Sequence, residues 1–269
     1  MQAKQLLLNN LSANIITLIT DYHMSDHYLA QMKGKILSDY PNSTIIDIVH
    51  QIPIDDISKA AFHLASIYKS FPIGTIHIVS IKNHYDIDPK YIVFAYQGYY
   101  FLGPDNGVFS LVFDEFEHFD IYQIDFEGIS VFDAASHYTH SITFIRQGLP
   151  MEEIGPALSV PTILTPLQPV SSYFQTRVII THIDGYGNAI TNLKFEEFER
   201  VRQGRKFRLF YNPHDPISEI SVSYAQVEYG EVLAQFNNDG YLELAVNNGN
   251  AAQQLHLKLG DTIQIDFVP

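Results

Sequence analysis

Cysteine is absent from all 269 residues, which excludes disulfides, thiolate metal sites and a cysteine nucleophile. No apolar run approaches the ~18 residues that a membrane helix needs, so no spanning segment is expected. Leu6-Leu7-Leu8 is interrupted at once by Asn9-Asn10 and has no small-residue cleavage pattern, so a leader is not expected either. Positive charge is scarce: 16 Lys and Arg stand against 30 Asp and Glu, a formal net charge of −14. Without a Lys/Arg stripe to neutralise phosphates, a nucleic-acid partner is not expected. The negative balance suits solubility and is compatible with a cationic small ligand. Neither a GxGxxG nor a Walker loop is present, so no turn is built to cradle a pyrophosphate. Repeats and low-complexity tracts are missing too. A cytoplasmic globular protein of one large or two smaller domains is what these absences leave.

The most informative stretch runs from Ile16 to Gly34, ITLITDYHMSDHYLAQMKG. Ile16-Thr17-Leu18-Ile19-Thr20 is β-branched and almost unbroken, the pattern of a buried strand in a parallel sheet. Asp21 to Asp26 is polar and turn-like. Tyr28 to Leu37 has helical spacing, with Tyr28, Leu29, Met32, Ile36 and Leu37 on one side and Ser25 or Asp26 as the N-cap. Two carboxylates, Asp21 and Asp26, therefore stand at the carboxyl end of a first strand, where open α/β sheets bind ligands. An acidic turn suits ribose hydroxyls or an ammonium group. It is equally accounted for if Asp21 only ends the strand and Asp26 only caps the helix.

Strand and helix then alternate. Thr44 to Val49 reads as a strand, Ile57 to Lys69 as a helix capped by Asp55-Asp56, and Thr75 to Ile81 as a third strand, which predicts a mostly parallel sheet with flanking helices. Lys82 to Lys90 is a polar loop, Tyr91 to Tyr96 and Tyr99 to Leu102 carry strand signals, and Ala134 to Gln147 reads as helix. Four prolines between Ile154 and Phe174 mark a connection. Beyond it, short alternating segments separated by Asn/Asp/Gly turns predict an all-β, barrel-like domain. The expected division is 1–155, a linker over 156–174, and 175–269.

Seven segments resemble, in order, the S-adenosylmethionine hydroxide adenosyltransferases, relatives of the fluorinases and chlorinases. They are TDYHMSDHYLAQMKG, IIDIVHQI, AAFHLASIYKSFPIGTIHIV, YYFLGPDNGVFSLV, FIRQGLPMEEIG, IDGYGNAITNL and FNNDGYLELAVNNGNAAQQLHLKLGD. The resemblance implies an α/β domain followed by a β-barrel-like domain, and a homotrimer whose sites lie between one subunit's first domain and its neighbour's second. It implies S-adenosylmethionine as substrate, no separate cofactor, and displacement of methionine at ribose C5′ by water or halide. Asp21 matches the acid that holds the ribose hydroxyls, a task suited to a carboxylate's two acceptor oxygens. Asp26 and Tyr28 match positions near the amino-acid end of the ligand, and Asp105 and Asn106 form the PDNG core. Asp184 matches the acid facing the methionine ammonium, and Asn188 the amide that reads the adenine edge. Tyr186 and Tyr224 match aromatic positions, and Asn248 falls in the loop whose backbone faces adenine. By themselves, Asp184 to Asn188 also read as plain hairpin-turn chemistry.

The reactive centre departs from the family pattern. Water-using relatives carry a DPGVGT-x-R-like loop and an FHGRD-like motif, which supply an Asp, an Arg and a His. Here Lys82 stands at the Asp and Pro89 at the Arg. In Val131-Phe132-Asp133-Ala134-Ala135, Asp133 replaces the His and Ala135 the following Arg. Three readings follow. Lys82, Asp133 or His84 serves a rebuilt centre, with Lys82 and Asp133 able to pair. The chain instead binds S-adenosylmethionine or adenosine without turnover. Or His84, Asp86, Asp88, His137 and His140 hold a metal, the last two sharing a helix face; no metal is the primary expectation.

Overall fold

The computed structural model describes residues 14–84, 86–125 and 133–268. Leu6-Leu7-Leu8, Asn9-Asn10, Val131 and Phe132, named above, lie outside the described residues. The chain divides into two compact units between Thr165 and Pro166.

In the first unit, six strands form one sheet in the order β2-β1-β3-β5-β4-β6. They are β1 (Ile15–Thr20), β2 (Thr44–Val49), β3 (Ile76–Ser80), β4 (Tyr91–Tyr96), β5 (Tyr99–Pro104) and β6 (Ile121–Gln123). The pairs β1–β2, β1–β3 and β3–β5 are parallel. Strand β4 runs against both β5 and β6, so the sheet is mixed. The reversal is local: Gln97 and Gly98, both with positive φ (50° and 84°), make the tight link between β4 and β5. Such a turn joins only antiparallel neighbours.

Side chains alternate across the sheet, and each face has its own core. Ile16, Leu18, Ile76 and Ile78 pack with Leu29, Met32 and Ile36 of α1 (Tyr28–Asp39) and with Tyr138, Ile142 and Ile145 of α3 (Ala134–Gln147). Ile19, Val79, Phe94 and Phe101 face the other way, onto Ala60, Ala61 and Leu64 of α2 (Ile57–Ile67) and an aromatic group around Phe109, Phe113 and Phe116. Burial on both faces explains why β1 and β3 read as nearly continuous apolar runs.

Two expectations for α1 are corrected. Its N-cap is His27, with no side-chain cap, rather than Ser25 or Asp26. Tyr28 and Leu37 are exposed, so the buried stripe narrows to Leu29, Met32 and Ile36. The acid at α2 acts as expected, Asp56 accepting from the Lys59 amide at 2.9 Å.

The second unit is a curled antiparallel sheet ordered β10-β13-β8-β9-β12-β11, with β7 (Val170–Ser171) beside β8. Its strands are β8 (Gln175–Ile183), β9 (Ala189–Lys194), β10 (Lys206–Phe210), β11 (Val232–Phe236), β12 (Tyr241–Val246) and β13 (Thr262–Val268). The two ends of this order, β10 and β11, are not paired with one another, so the barrel is open. It is not purely β. Helix α4 (Phe195–Arg202) buries Phe198 and Val201, Phe198 meeting the rings of Phe207, Phe236 and Phe267. Its acidic first turn and basic last turn suit the helix dipole, and Arg200–Glu197 and Arg202–Glu199 pairs span single turns. A four-residue helix, α5 (Ala251–Gln254), starts at Asn250, whose Oδ1 accepts from the Gln253 amide. Among the described residues no helix is long and apolar enough to cross a membrane.

Candidate functional site

The parallel register of β1 and β3 sets Thr20 beside Ser80 and therefore brings Asp21 beside the residues that follow β3. The Lys82 amide donates to Asp21 Oδ2 at 2.7 Å. Lys82 adopts φ 46°, in the left-handed region, to turn its N–H that way. Burial pushes the Asp21 carboxyl above its ordinary range, opposed by the Lys82 amide and by the nearby His84 and His23 imidazoles. Asp21 is thus a half-buried acid at the carboxyl end of the central strands, as its place in the sequence predicts.

A chain of close polar contacts braces the turn from below. Thr20 Oγ1 lies 2.9 Å from His50 Nδ1, and His50 Nε2 lies 3.0 Å from Asp47 Oδ1. Lys33 holds the other Asp47 oxygen at 2.5 Å. Thr20 Oγ1 accepts from the Tyr22 amide at 3.2 Å, which fixes the backbone on the far side of Asp21. Sequence reading passed over this chain because its members come from β1, β2, α1 and the loop after β2. Beside it, Tyr22 OH, Ser80 Oγ and Asn83 Nδ2 form a second polar group.

The Lys82–Asp133 pair does not form. Lys82 Nζ lies 3.1 Å from Asp55 Oδ1. Asp133 is the N-cap of α3: its Oδ1 accepts from the Ser136 amide at 3.1 Å, and its Oδ2 takes Lys35 Nζ at 2.8 Å and the Ser136 hydroxyl. Burial raises its carboxyl pKa, but the Lys35 and Ser136 hydrogen bonds outweigh that and hold it below the ordinary range. The physical reason is local. An Asp preceding a helix with Ser three residues on is drawn into capping, and Lys35 reaches it from α1.

Asp105 and Asn106 are buried and engaged inside the first unit. Asp105 accepts from the Thr162 amide at 2.9 Å and the Thr162 hydroxyl at 3.2 Å, pinning the proline-rich segment. Asn106 donates to the Ile81 carbonyl at 2.9 Å and accepts from the Val108 amide at 3.2 Å. Gly107 completes the turn at φ 90°; a Cβ there would meet Leu164 Cγ at 2.4 Å. Asp26 and Tyr28 are exposed, the Tyr28 ring leaning on His27 and Tyr22.

In the second unit the hairpin of Asp184 to Asn188 forms, and Tyr224 joins it. Asp184 Oδ1 accepts from the Tyr186 and Asn188 amides, both at 2.9 Å, and its Oδ2 accepts from Asn188 Nδ2 at 2.9 Å. Asn188 Nδ2 lies 3.5 Å from Tyr224 OH, which donates to Glu243 Oε1 at 2.8 Å. Gln235 donates to the same oxygen at 3.0 Å. Burial and the Glu243 carboxylate push the Tyr224 hydroxyl up to about 12. Glu243, absent from the predicted set, is 4% exposed on the apolar strand β12; an acid in such a strand was the signal. The last loop joins this cluster through the Ala252 amide, which donates to the Gly187 carbonyl at 2.8 Å. Asn250 packs so closely on Gly187 that a Cβ there would lie 2.1 Å from its Cγ. Asn248 takes φ 55° and bonds Asn247, and Tyr186 is exposed.

Among the described residues, no group of three His, Asp or Glu side chains is placed to hold an ion, so His84, Asp86, Asp88, His137 and His140 do not assemble into a metal centre. Two surface hollows of about 420 and 430 Å³, one beside Tyr40 and Arg146 and one beside Tyr211 and Asp215, contain none of the predicted site residues.

The chain matches the models of the SAM hydroxide adenosyltransferase N-terminal domain over residues 16–155 and C-terminal domain over residues 178–264. It is 28% identical to an (R)-S-adenosyl-L-methionine hydrolase of Methanocaldococcus jannaschii, over 94% of this chain and 96% of that one. It is 24% identical to a fluorinase of an Actinoplanes species, over 93% and 97%. The fold is shared with the crystal structure of an uncharacterized conserved protein from Thermotoga maritima, with a TM-score of 0.79, 28% identity and coverage of 93% and 99%. The two matched domains account for most of the chain, and it belongs to the SAM hydroxide adenosyltransferase family.

Proposed function

We propose that the protein binds S-adenosylmethionine and catalyses displacement of methionine from ribose C5′ by water, giving adenosine. The observation that carries this reading is the Asp21 carboxylate, half-buried at the carboxyl end of β1 and fixed by the Lys82 amide, in a chain of this family. Its acceptor oxygens suit two vicinal hydroxyls. Asp184, Asn188 and Tyr224 with Tyr186 and Asn248 are assigned to the ligand's ammonium and adenine, and Asp26 and Tyr28 to its amino-acid end. Asp105 and Asn106 serve by shaping the loop after β5.

In the reaction, a C5′–O bond forms as the C5′–S bond breaks. The bonding pair goes to sulfur, which leaves as the neutral thioether of methionine, and the attacking oxygen loses a proton to solvent. The sulfonium is already a good leaving group, so the protein has mainly to position and desolvate the nucleophile. No cofactor is needed for that step. Lys82 and Asp133 are spent on Asp55 and on capping α3, so of the original three His84, in electrostatic reach of Asp21, is left to pass that proton on to solvent. A homotrimer in the cytoplasm completes the reading.

The test is incubation with S-adenosylmethionine, with adenosine and methionine followed by liquid chromatography and mass detection, and an Asp21→Asn variant alongside. Equimolar products above the uncatalysed rate, lost in the variant, are expected. Ligand retained on the protein with no product would replace the reading with a binding protein that does not turn over. Light scattering after size exclusion checks the trimer.

A further inference from the structure

The turn after β3 carries Asn83 where the DPGVGT-like loop would place a proline, and a polar cluster forms around it. Asn83 is 5% exposed. Its Nδ2 donates to Ser80 Oγ at 2.9 Å and to Tyr22 OH at 3.1 Å, and the two hydroxyl oxygens lie 3.5 Å apart. The other end of the amide, Oδ1, is buried and has no hydrogen-bond partner among the described residues. Exchanging the amide's oxygen and nitrogen moves the open end to the nitrogen without closing it, since both hydroxyls can donate as well as accept. A buried amide group left open in this way marks a place for an ordered water.

The cluster flanks Asp21. Tyr22 follows Asp21 in the chain, and Asn83 follows Lys82, whose amide holds the Asp21 carboxylate. Tyr138 of α3, fully buried, comes close enough to feel both Asp21 and Tyr22. The displaced family residues belong to this same loop and to the start of α3, so a polar cluster here stands where the reaction needs its water.

We propose that Asn83, with Ser80 and Tyr22, holds the water that attacks C5′. This rests on the function proposed above. The amide and the two hydroxyls fix the water's orientation; its oxygen forms the new bond to C5′ as the bond to sulfur breaks, and its proton leaves to solvent. Orientation alone is worth large factors in such a displacement.

The test is steady-state adenosine formation from S-adenosylmethionine by the full chain and by Asn83→Ala and Tyr22→Phe, with adenosine affinity measured by calorimetry. Asn83→Ala is expected to lower kcat by about 10²-fold, with KM and adenosine affinity within ~3-fold. Tyr22→Phe is expected to lower kcat by ~10-fold. Unchanged kcat in Asn83→Ala, or equal losses in KM and adenosine affinity, would overturn the proposal while leaving the adenosyltransferase reading intact. A wild-type protein that forms no adenosine overturns both. Should Asn83→Ala fail to fold, a crystal structure of the wild-type chain with adenosine decides: the 5′-hydroxyl, whose oxygen is the one the water delivers, within hydrogen-bond distance of the Asn83 amide supports the assignment, and an amide met only by protein groups removes it.

Discussion

The Lys82 amide donates to Asp21 Oδ2 at 2.7 Å while the Lys82 ammonium turns away to Asp55, 3.1 Å off. Lys82 therefore serves the acid with its backbone, not with its charge. The amide survives any substitution that keeps an N–H and tolerates φ 46°.

Lys82→Gly meets both conditions, since glycine adopts positive φ without strain. Adenosine or S-adenosylmethionine affinity is expected to stay within ~3-fold of wild type. Lys82→Pro removes the N–H and forbids the conformation, and is expected to weaken binding by ~10-fold or more. Isothermal titration of both variants checks the pair; equal losses in the two would return the role to the side chain.

Asp133→Ala removes the N-cap of α3 together with the Lys35 ion pair. Stability is expected to fall by about 1 kcal/mol, the ordinary worth of such a cap. Asp133→Ser, which retains a capping oxygen, should recover most of it. Urea unfolding midpoints make the comparison. A loss of turnover without a loss of stability would reopen Asp133 as a catalytic group.

His77 is wholly buried in β3 among Tyr68, Phe71, Tyr99 and Phe101, with Nδ1 2.8 Å from Thr17 Oγ1. Burial lowers its pKa from 6.5 to about 4. The unfolded chain thus takes up this proton before the folded one, so stability falls as pH drops from about 6.5 to about 4 and levels off below. The full loss is about 3 kcal/mol for this residue. In His77→Gln the difference between urea midpoints at pH 7.5 and pH 4.5 should narrow. If it does not, other groups dominate the acid limb.

Tyr224→Phe takes a hydrogen bond from the buried Glu243 carboxylate, leaving Gln235 as its described donor. A cost of about 1–2 kcal/mol is expected, because a charged acceptor loses a partner. Adding Glu243→Gln should recover part of it, since the neutral amide is cheaper to leave under-satisfied. Thermal melts of the single and double variants measure the coupling. An uncoupled pair would mean that water replaces the lost hydroxyl.

Much of this was legible from spacing. β1, β3 and α3 follow from unbroken apolar runs and 3.6-residue periodicity, and Asp56 caps α2 as read; Asp133 was read as a replaced catalytic residue and its capping of α3 was missed. The Asp184–Asn188 hairpin was written in its turn residues, and the place of Asp21 at a strand end in the apolar run before it. Helix α4 was missed although its Glu-then-Arg turns announced it, because the surrounding strands set the expectation.

The sequence by itself determined which segments become strands and helices and that Asp21 ends the first strand, because these depend on neighbours within a few residues. Tertiary structure alone decided the partners. Lys82 and Asp133 looked complementary as a list of charges, yet Asp55 and Lys35 sit closer in the folded chain. The Thr20–His50–Asp47 chain, the open end of Asn83 and the buried Glu243 depend in the same way on which strands lie side by side. Sheet order fixes adjacencies such as Thr20–His50 and Asp21–Lys82 across 30 and 61 residues of chain, and hydrogen bonds reach only about 3 Å.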